Sequence, residues 1–487
     1  MRPELYVIID DREPPPPELE GLMGYIHFGD LLRRRRRYAD ELMTAAAGAD
    51  DVILLRSDED ADRLVRRIET ARGDTLWLRL PVISAPLDMA QLDILIRKMR
   101  YALERILLAP VLEDDAPMVL FPRDAIDLIS APRGKDRRSL ILRLADDATH
   151  VSHDVEFIDL RQPGALRLFL SGATEPRGFN NLAVQSGVFV KSSEDIAKMR
   201  AEHDFFDLAP AHMRRFFLPT FDYEERDGVA SYRMEHLKVP DAALQFVLGT
   251  FTEQHFNQLL DQFFAFVAGR EKDTVGQEAV RVKGREQILT KMQTRLAAFH
   301  DTKEGERVND LLAAGGIPGG LRGLQDRATP VIATAIESST ADHLAFSHGD
   351  PCLSNILFDN RIGLIRLIDP RGARVREDAF LHPLYDLAKF SHSVCGGYDF
   401  VNNSLVSVEV GAELRLELQR HRGGAPAWVK DAFRARLAAA DWDFHQVRAV
   451  EASLFLSMLP LHLDHPRKLL CFALIAAEIL DALEGGA

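Results

Sequence analysis

Ala345-Phe346-Ser347-His348-Gly349-Asp350-Pro351-Cys352-Leu353-Ser354-Asn355-Ile356-Leu357-Phe358-Asp359, followed by Leu364-Ile365-Arg366-Leu367-Ile368-Asp369, is the stretch on which the reading of this sequence turns. Apolar segments flank a tight polar loop that carries Asp350 and Asn355. The second run is apolar up to a carboxylate, Asp369, at a strand's end. Such a set suits the transfer of a phosphoryl group. A carboxylate must orient an attacking hydroxyl and accept its proton, while an amide oxygen and a second carboxylate hold Mg²⁺ against nucleotide phosphates. Mg²⁺ is a hard ion that takes oxygen ligands, commonly one or two carboxylates with water and phosphates. Asp350, Asn355 and Asp369 supply those oxygens.

The motif His348-x-Asp350-x4-Asn355 with Ile368-Asp369 resembles the catalytic loop and metal site of the aminoglycoside phosphotransferase and choline kinase family. Tyr385-Asp386-Leu387-Ala388-Lys389 fits the same pattern. The resemblance extends over roughly 165–487 and concentrates in 345–390. It implies a bilobal, protein-kinase-like α+β domain that uses ATP and Mg²⁺. By it, Asp350 is the catalytic base or hydroxyl-orienting residue, and Asn355 and Asp369 are the metal ligands. His348 shapes the loop, and Asp386 fixes it from behind. Asp359 caps a hairpin turn with Asn360. Many relatives carry another acidic residue just after the metal aspartate. Here the sequence runs Asp369-Pro370-Arg371-Gly372, and Arg371 is either a phosphate or substrate ligand or a structural arginine.

Kinases of this type pair a strand lysine with a glutamate on the following helix. Phe189-Val190-Lys191 ends a strand, and Ser192 or Ser193 can cap the next helix. Glu202 lies three residues after Met199 and three to four before Phe205 and Phe206, at the edge of an apolar face. Lys191 is therefore expected to bind phosphates with Glu202 as its partner. The competing reading is a surface pair of Lys198 with Glu202. The loop Ser171–Asn180 lies between expected strands, Leu166–Leu170 before it and Ala183-Val184 with Gly187–Val190 after it, which makes Gly178 and Asn180 the expected phosphate cover. Phe179-Asn180 also resembles a pattern of capsule- and sugar-locus phosphotransferases. The backbone around Glu235 and Leu237 would meet adenine, as the resemblance implies.

With 487 residues, two to four domains are expected. The formal net charge of −14 argues against nonspecific nucleic-acid binding. Three scattered cysteines form no zinc-ligand spacing and suit a cytoplasmic protein. The first residues lack the apolar core of a signal peptide, and Leu469–Leu483 is too short and polar to span a bilayer. The run Arg33–Arg37 reads as a solvated face of a helix over Gly29–Ala47, with phosphate, acidic-lipid or partner binding as the alternative. Leu454-Phe455-Leu456 with Leu459, Leu461 and Leu463 is either core or an oligomer surface.

Residues 1–160 alternate strands and helices, which predicts an α/β domain with a mainly parallel sheet. Its strand order faintly resembles a sugar nucleotidyltransferase. The glycine-rich phosphate loop of those enzymes is replaced by Asp10-Asp11-Arg12-Glu13 and four prolines, which implies a degenerate relative or an unrelated domain. The chain is thus expected to comprise 1–160, a nucleotide lobe at 165–240, and a mostly helical lobe at 241–487. The small-molecule acceptor, a sugar among the candidates, is not readable. A nucleotide-binding scaffold with little turnover and a protein-modifying enzyme are the other readings.

Overall fold

The computed structural model describes all residues except 1, 2, 20–22, 25, 34, 35, 110–114, 133, 152, 172–179, 186, 187, 238, 464, 465, 486 and 487. The chain divides into two compact units, Met1–Ala173 and Thr174–Ala487.

In the first unit the apolar run after Glu4 forms β1 (Leu5–Asp10), buried along nearly its whole length. β2 (Asp51–Leu55) and β3 (Leu76–Pro81) flank it in parallel. With β4 (Ile106–Leu107), β5 (Met118–Leu120) and β6 (Thr149–His150) they make a six-stranded sheet of order β2-β1-β3-β5-β4-β6. β5 alone is reversed, antiparallel to both β3 and β4, while the other pairings are parallel, so the sheet is mainly parallel, as the alternation of strands and helices predicts, with one antiparallel strand. The connection from Leu108 to Pro117 is shorter than a helical crossover needs, which enforces an antiparallel return. Helix α1 (Asp58–Glu69) begins at a reciprocal capping box between Ser57 and Asp60. With α2 (Pro122–Ser130) and α3 (Lys135–Asp146) it adds Leu64, Ile68, Leu128 and Ile141 to a core around Trp77.

The acidic end of β1 is consumed internally. Asp10 meets Arg12 at 2.9 Å, Arg79 at 2.8 Å and Arg137 at 2.6 Å. Burial opposes its charge, but Arg79, Arg12 and Arg137 outweigh burial and hold the carboxyl well below the usual carboxylate range. Asp11 accepts the Gly29 amide at 3.0 Å and pairs with Arg56 at 2.9 Å.

Two local expectations fail in this unit. The helix expected over Gly29–Ala47 covers only Tyr38–Ala45, preceded by a turn at Phe28–Asp30 and short paired strands at Leu32–Arg33 and Arg36–Arg37. A Cβ on Gly29 would lie 2.5 Å from the Asp11 carboxylate, so the chain is pinned there before the helix starts. The arginine run is accordingly not one solvated helix face. Arg33 is buried, donates to the Leu87 carbonyl at 3.1 Å and lies over the Phe169 ring, whereas Arg36 and Arg37 are exposed. The expected strand Leu166–Leu170 lies within a helix, Pro163–Ser171. Proline at its first position suits a helix start, and Leu166, Phe169 and Leu170 recur at helical spacing and are buried.

The second unit opens with an antiparallel sheet of β7 (Asn180–Gln185), β8 (Val188–Ser193), β9 (Thr220–Arg226) and β10 (Val229–Glu235), in the order β7-β8-β10-β9. Helix α4 (Ile196–Leu208) joins β8 to β9, and Met199 packs with Leu218, Tyr232 and Met234. Helices dominate after Asp241, as the sequence pattern predicts. The hairpin of β11 (Ile356–Asp359) and β12 (Leu364–Leu367) interrupts them. So does a sheet of Lys272–Thr274, His343–Phe346 and Phe380–Leu381. The later helices include α5 (Lys291–His300), α6 (Leu384–Val394), α7 (Phe444–Met458) and α8 (Pro466–Glu484). Leu454, Phe455, Leu456 and Leu459 are core, while Leu461 and Leu463 are exposed. Among the described residues no helix is long and apolar enough to cross a membrane.

Candidate active site

β8 alternates its side chains so that Lys191 and Ser193 point inward. Lys191 lies opposite Tyr232 in the β8–β10 register. α4 buries Met199, Glu202 and Phe205, spaced three apart on one face. Lys191 Nζ therefore donates to Glu202 Oε2 at 2.5 Å and to an Asp369 carboxylate oxygen at 2.9 Å. The Tyr232 hydroxyl donates to the same Glu202 oxygen at 3.1 Å. Lys198 reaches the other Glu202 oxygen at 3.6 Å, so both partners weighed from the sequence meet this carboxylate. Lys191 and Glu202 side chains are each 2% exposed, against 37% for Asp369. Burial disfavours the Lys191 charge, but Asp369 and Glu202 outweigh it and raise its pKa. Burial likewise raises Glu202 despite Lys191.

The polar loop begins where the strand His343–Phe346 ends. Asp386, on the first turn of α6, accepts the backbone amides of His348 at 3.1 Å and Gly349 at 2.8 Å. Arg270 lies 3.5 Å behind it. His348 is fully buried, and burial lowers its pKa. Its Nδ1 accepts the Asp350 amide at 3.2 Å, and its Nε2 is 3.0 Å from the Ile368 carbonyl. That pair of bonds assigns the proton to Nε2. Asn355 repeats the link: its Nδ2 donates to the Asp350 carbonyl at 2.8 Å, and its carbonyl accepts the Ile368 amide at 3.0 Å. His348 and Asn355 thus brace Asp350 against the segment carrying Asp369. The Asn355 bond also fixes its amide orientation, with Oδ1 as the end able to meet a cation. Asp359 accepts from Arg361, closing the β11–β12 turn as expected, although with Arg361 rather than Asn360.

Asp369 adopts a left-handed backbone, φ 54°, followed by Gly372 at φ 79°. A Cβ on Gly372 would meet the Ala201 carbonyl carbon at 2.7 Å and the Glu202 nitrogen at 2.8 Å. The Ala373 amide donates to Ala201 at 3.1 Å, and the Arg371 amide donates to His348 at 2.9 Å. The Asp369 loop is therefore fastened to α4 on one side and to the polar loop on the other.

Glu235 is the exposed last residue of β10, paired with Val188. Leu237 follows, its carbonyl accepting the Val239 amide at 2.8 Å. Asn180 opens β7 opposite Ser193, and Gly178 lies outside the described residues.

Four further residues form a linked group that reaches Asp350 through Lys389. Lys389 Nζ lies 2.9 Å from Asp350 Oδ1. Tyr385, four residues earlier on α6, accepts a hydrogen bond from Lys291 Nζ at 2.9 Å. Arg371 sits beside Gly349, whose added Cβ would come within 2.6 Å of the Arg371 Cβ. The spacing of Tyr385 and Lys389 on one helix face was available as a signal. Lys291 comes from a helical region with no motif of its own.

No protein-family model and no curated protein sequence matches the chain. Among solved structures, the chain is similar to the apo form of a thermostable mutant of aminoglycoside phosphotransferase APH(4)-Ia, with 11% identity and a TM-score of 0.38 over 64% of this chain and 93% of that one. A ternary complex of that enzyme with AMP-PNP and hygromycin B gives 11% and 0.38 over 63% and 92%. One with ADP and hygromycin B gives 11% and 0.38 over 63% and 94%. Likeness of this degree fixes neither a family nor an activity.

Proposed function

We propose that Thr174–Ala487 is an ATP- and Mg²⁺-dependent phosphotransferase that acts on a hydroxyl of a small molecule. The observation that carries this reading is the bracing of Asp350 by His348 and Asn355 against the segment whose Asp369 meets Lys191, the partner of Glu202. Lys191, held by Glu202, would bind nucleotide phosphates, and Asn180 and Gly178 would cover them. The backbone at Glu235 and Leu237 would receive adenine. Asn355 Oδ1 and the Asp369 carboxylate are a hard-oxygen donor pair suited to Mg²⁺. When bound, Mg²⁺ would neutralise the charge on the phosphates.

Asp350 would orient the acceptor hydroxyl and accept its proton. The bond from that oxygen to the γ-phosphorus forms as the bond to the β,γ-bridging oxygen breaks, and ADP leaves with its electron pair. Lys389 would stabilise the ionised Asp350 and lie beside the transferring group. A nucleotide lobe, expected at 165–240 and taken here from Thr174, a helical lobe at 241–487, the cytoplasmic location and a sugar or cell-envelope precursor as acceptor belong to the same proposal. So does reading residues 1–160 as a degenerate nucleotidyltransferase-like domain.

Nucleotide turnover with Mg²⁺ against a panel of sugars, amino sugars and choline-like alcohols, with Asp350→Ala as control, tests it. Phosphate on one acceptor, lost in the control, supports the reading. ATP binding without transfer to any small molecule or protein favours a scaffold.

A further inference from the structure

Beside Asp350 lies a concentration of positive charge in a chain of net charge −14. Lys389 contacts Asp350 directly. Lys291 donates to the Tyr385 hydroxyl, with its ammonium 5.5 Å from the ring centroid. Arg295, one turn further along α5, is anchored through Nη1 to the Ser457 carbonyl at 3.1 Å. Arg371 stands next to Gly349, one residue from Asp350. Lys389 is paired with Asp350, and Lys389, Lys291 and Arg371 all act on the Tyr385 hydroxyl.

The cluster is open to ligand. Arg371 is exposed, and Lys291 and Arg295 are half-buried. A π-helical turn, Arg285–Thr290, leads directly into Lys291. Such turns re-aim the side chains that follow and concentrate at functional sites. The electrostatics agree with the geometry. Burial lowers the pKa of Lys291 and Arg295, and Arg371 adds to both shifts. Burial raises the pKa of Tyr385, but Lys389, Lys291 and Arg371 outweigh it and bring the phenol down. Like charges are thus crowded here, and an incoming anion would relieve them.

We propose that the phosphate acceptor is itself an anion, a hydroxyl compound bearing a phosphate or carboxylate that Lys291 and Arg371 hold while its hydroxyl faces Asp350. Arg295 and Tyr385 act behind these two as positioning residues. The inference rests on the reading of Asp350 given above. Arg371 then has a task that explains why a cation, rather than a further acid, follows Asp369.

The test uses the full chain, Mg-ATP and one hexose in four forms: neutral, 6-phosphate, uronic acid and 2-amino. An anionic form should be phosphorylated with at least about tenfold higher kcat/KM than the neutral one. Lys291→Met and Arg371→Gln should each raise KM for that acceptor roughly 10- to 100-fold, as loss of a charge-assisted hydrogen bond does, leaving KM for ATP in place. Preference for the neutral or amino form, or an unchanged KM in both variants, overturns the proposal. If no form is phosphorylated, the failure falls on the phosphotransferase reading. The anion site is then judged by thermal shift with inorganic phosphate. Stabilisation lost in both variants upholds it, and no stabilisation, or stabilisation retained in both, overturns it.

Discussion

Replacing Lys191 by methionine separates what the buried charges do for stability from what they do for ligand binding. The substitution keeps the volume of the aliphatic stem but leaves Glu202, 2% exposed, without its 2.5 Å partner. Breaking a buried pair typically destabilises by about 3–5 kcal/mol. Two contacts remain to soften the loss: the Tyr232 hydroxyl at 3.1 Å and the Lys198 ammonium at 3.6 Å. At about 1 kcal/mol or less each, they bring the expected loss to roughly 1–4 kcal/mol. Adding Glu202→Gln removes the stranded charge and keeps an acceptor for Tyr232, so the double variant should regain at least half of the loss. Nucleotide affinity should stay low in both variants, because neither offers a phosphate-binding cation. Urea denaturation followed by fluorescence suits the question, since Trp428 and Trp442 report on the second unit and Trp77 on the first. The single variant should also show a distinct pH dependence. Without Lys191, the folded-state pKa of Glu202 rises further above its unfolded value. The folded protein then holds the extra proton, so the deficit is small below about pH 4.5 and grows as pH rises through the folded pKa. A double variant as unstable as the single one, or a deficit independent of pH, would refute this reasoning.

Asp350→Ala should reduce turnover by roughly 10²–10⁴-fold while nucleotide binding, measured by calorimetry, stays nearly intact. Asp369→Ala should weaken Mg-nucleotide binding as well, and equal losses of binding in the two would contradict their separate roles. Gly372→Ala forces a side chain into a left-handed backbone against Ala201 and Glu202. It should destabilise by about 1–3 kcal/mol and raise KM for ATP, which steady-state kinetics on the folded fraction would show. Asp241 caps the helix Ala242–Val247, and burial, with Asp399 adding to it, pushes its pKa up to about 7. Stability from this group is full below pH 3.8 and is lost as pH rises through 7. Asp241→Asn, which retains the cap, should therefore stabilise the chain at pH 8 more than at pH 5. Denaturation midpoints that shift equally at both pH values would count against this.

What the sequence made legible was local. Asp350, Asn355 and Asp369 sit close together in the chain, and the apolar runs around them announce the hairpin that joins them. The meeting of Lys191 with Glu202 followed from one strand and one helical spacing. Long-range and context-driven features were hidden. Lys291 reaches Tyr385 from 94 positions away, and its own helix carries no signature. Leu166–Leu170 is a short apolar run that suits strand or helix, and Pro163 with the neighbouring core decided for helix. The arginine run suggested one solvated face, but the chain is held at Gly29 by Asp11, the helix begins only at Tyr38, and Arg33 lies buried before it.

The fastening of the Asp369 loop has a consequence for control. In protein kinases, activity is switched by moving the helix that bears the ion-pairing glutamate away from the metal-binding segment. Here Gly372 abuts the backbone at Ala201 and Glu202, and the Ala373 amide is bonded to Ala201. Swinging α4 outward would have to carry the Asp369 segment with it, against the Arg371–His348 tether, or break the Ala373–Ala201 bond. On the phosphotransferase reading proposed above, control by movement of this helix alone is therefore not expected.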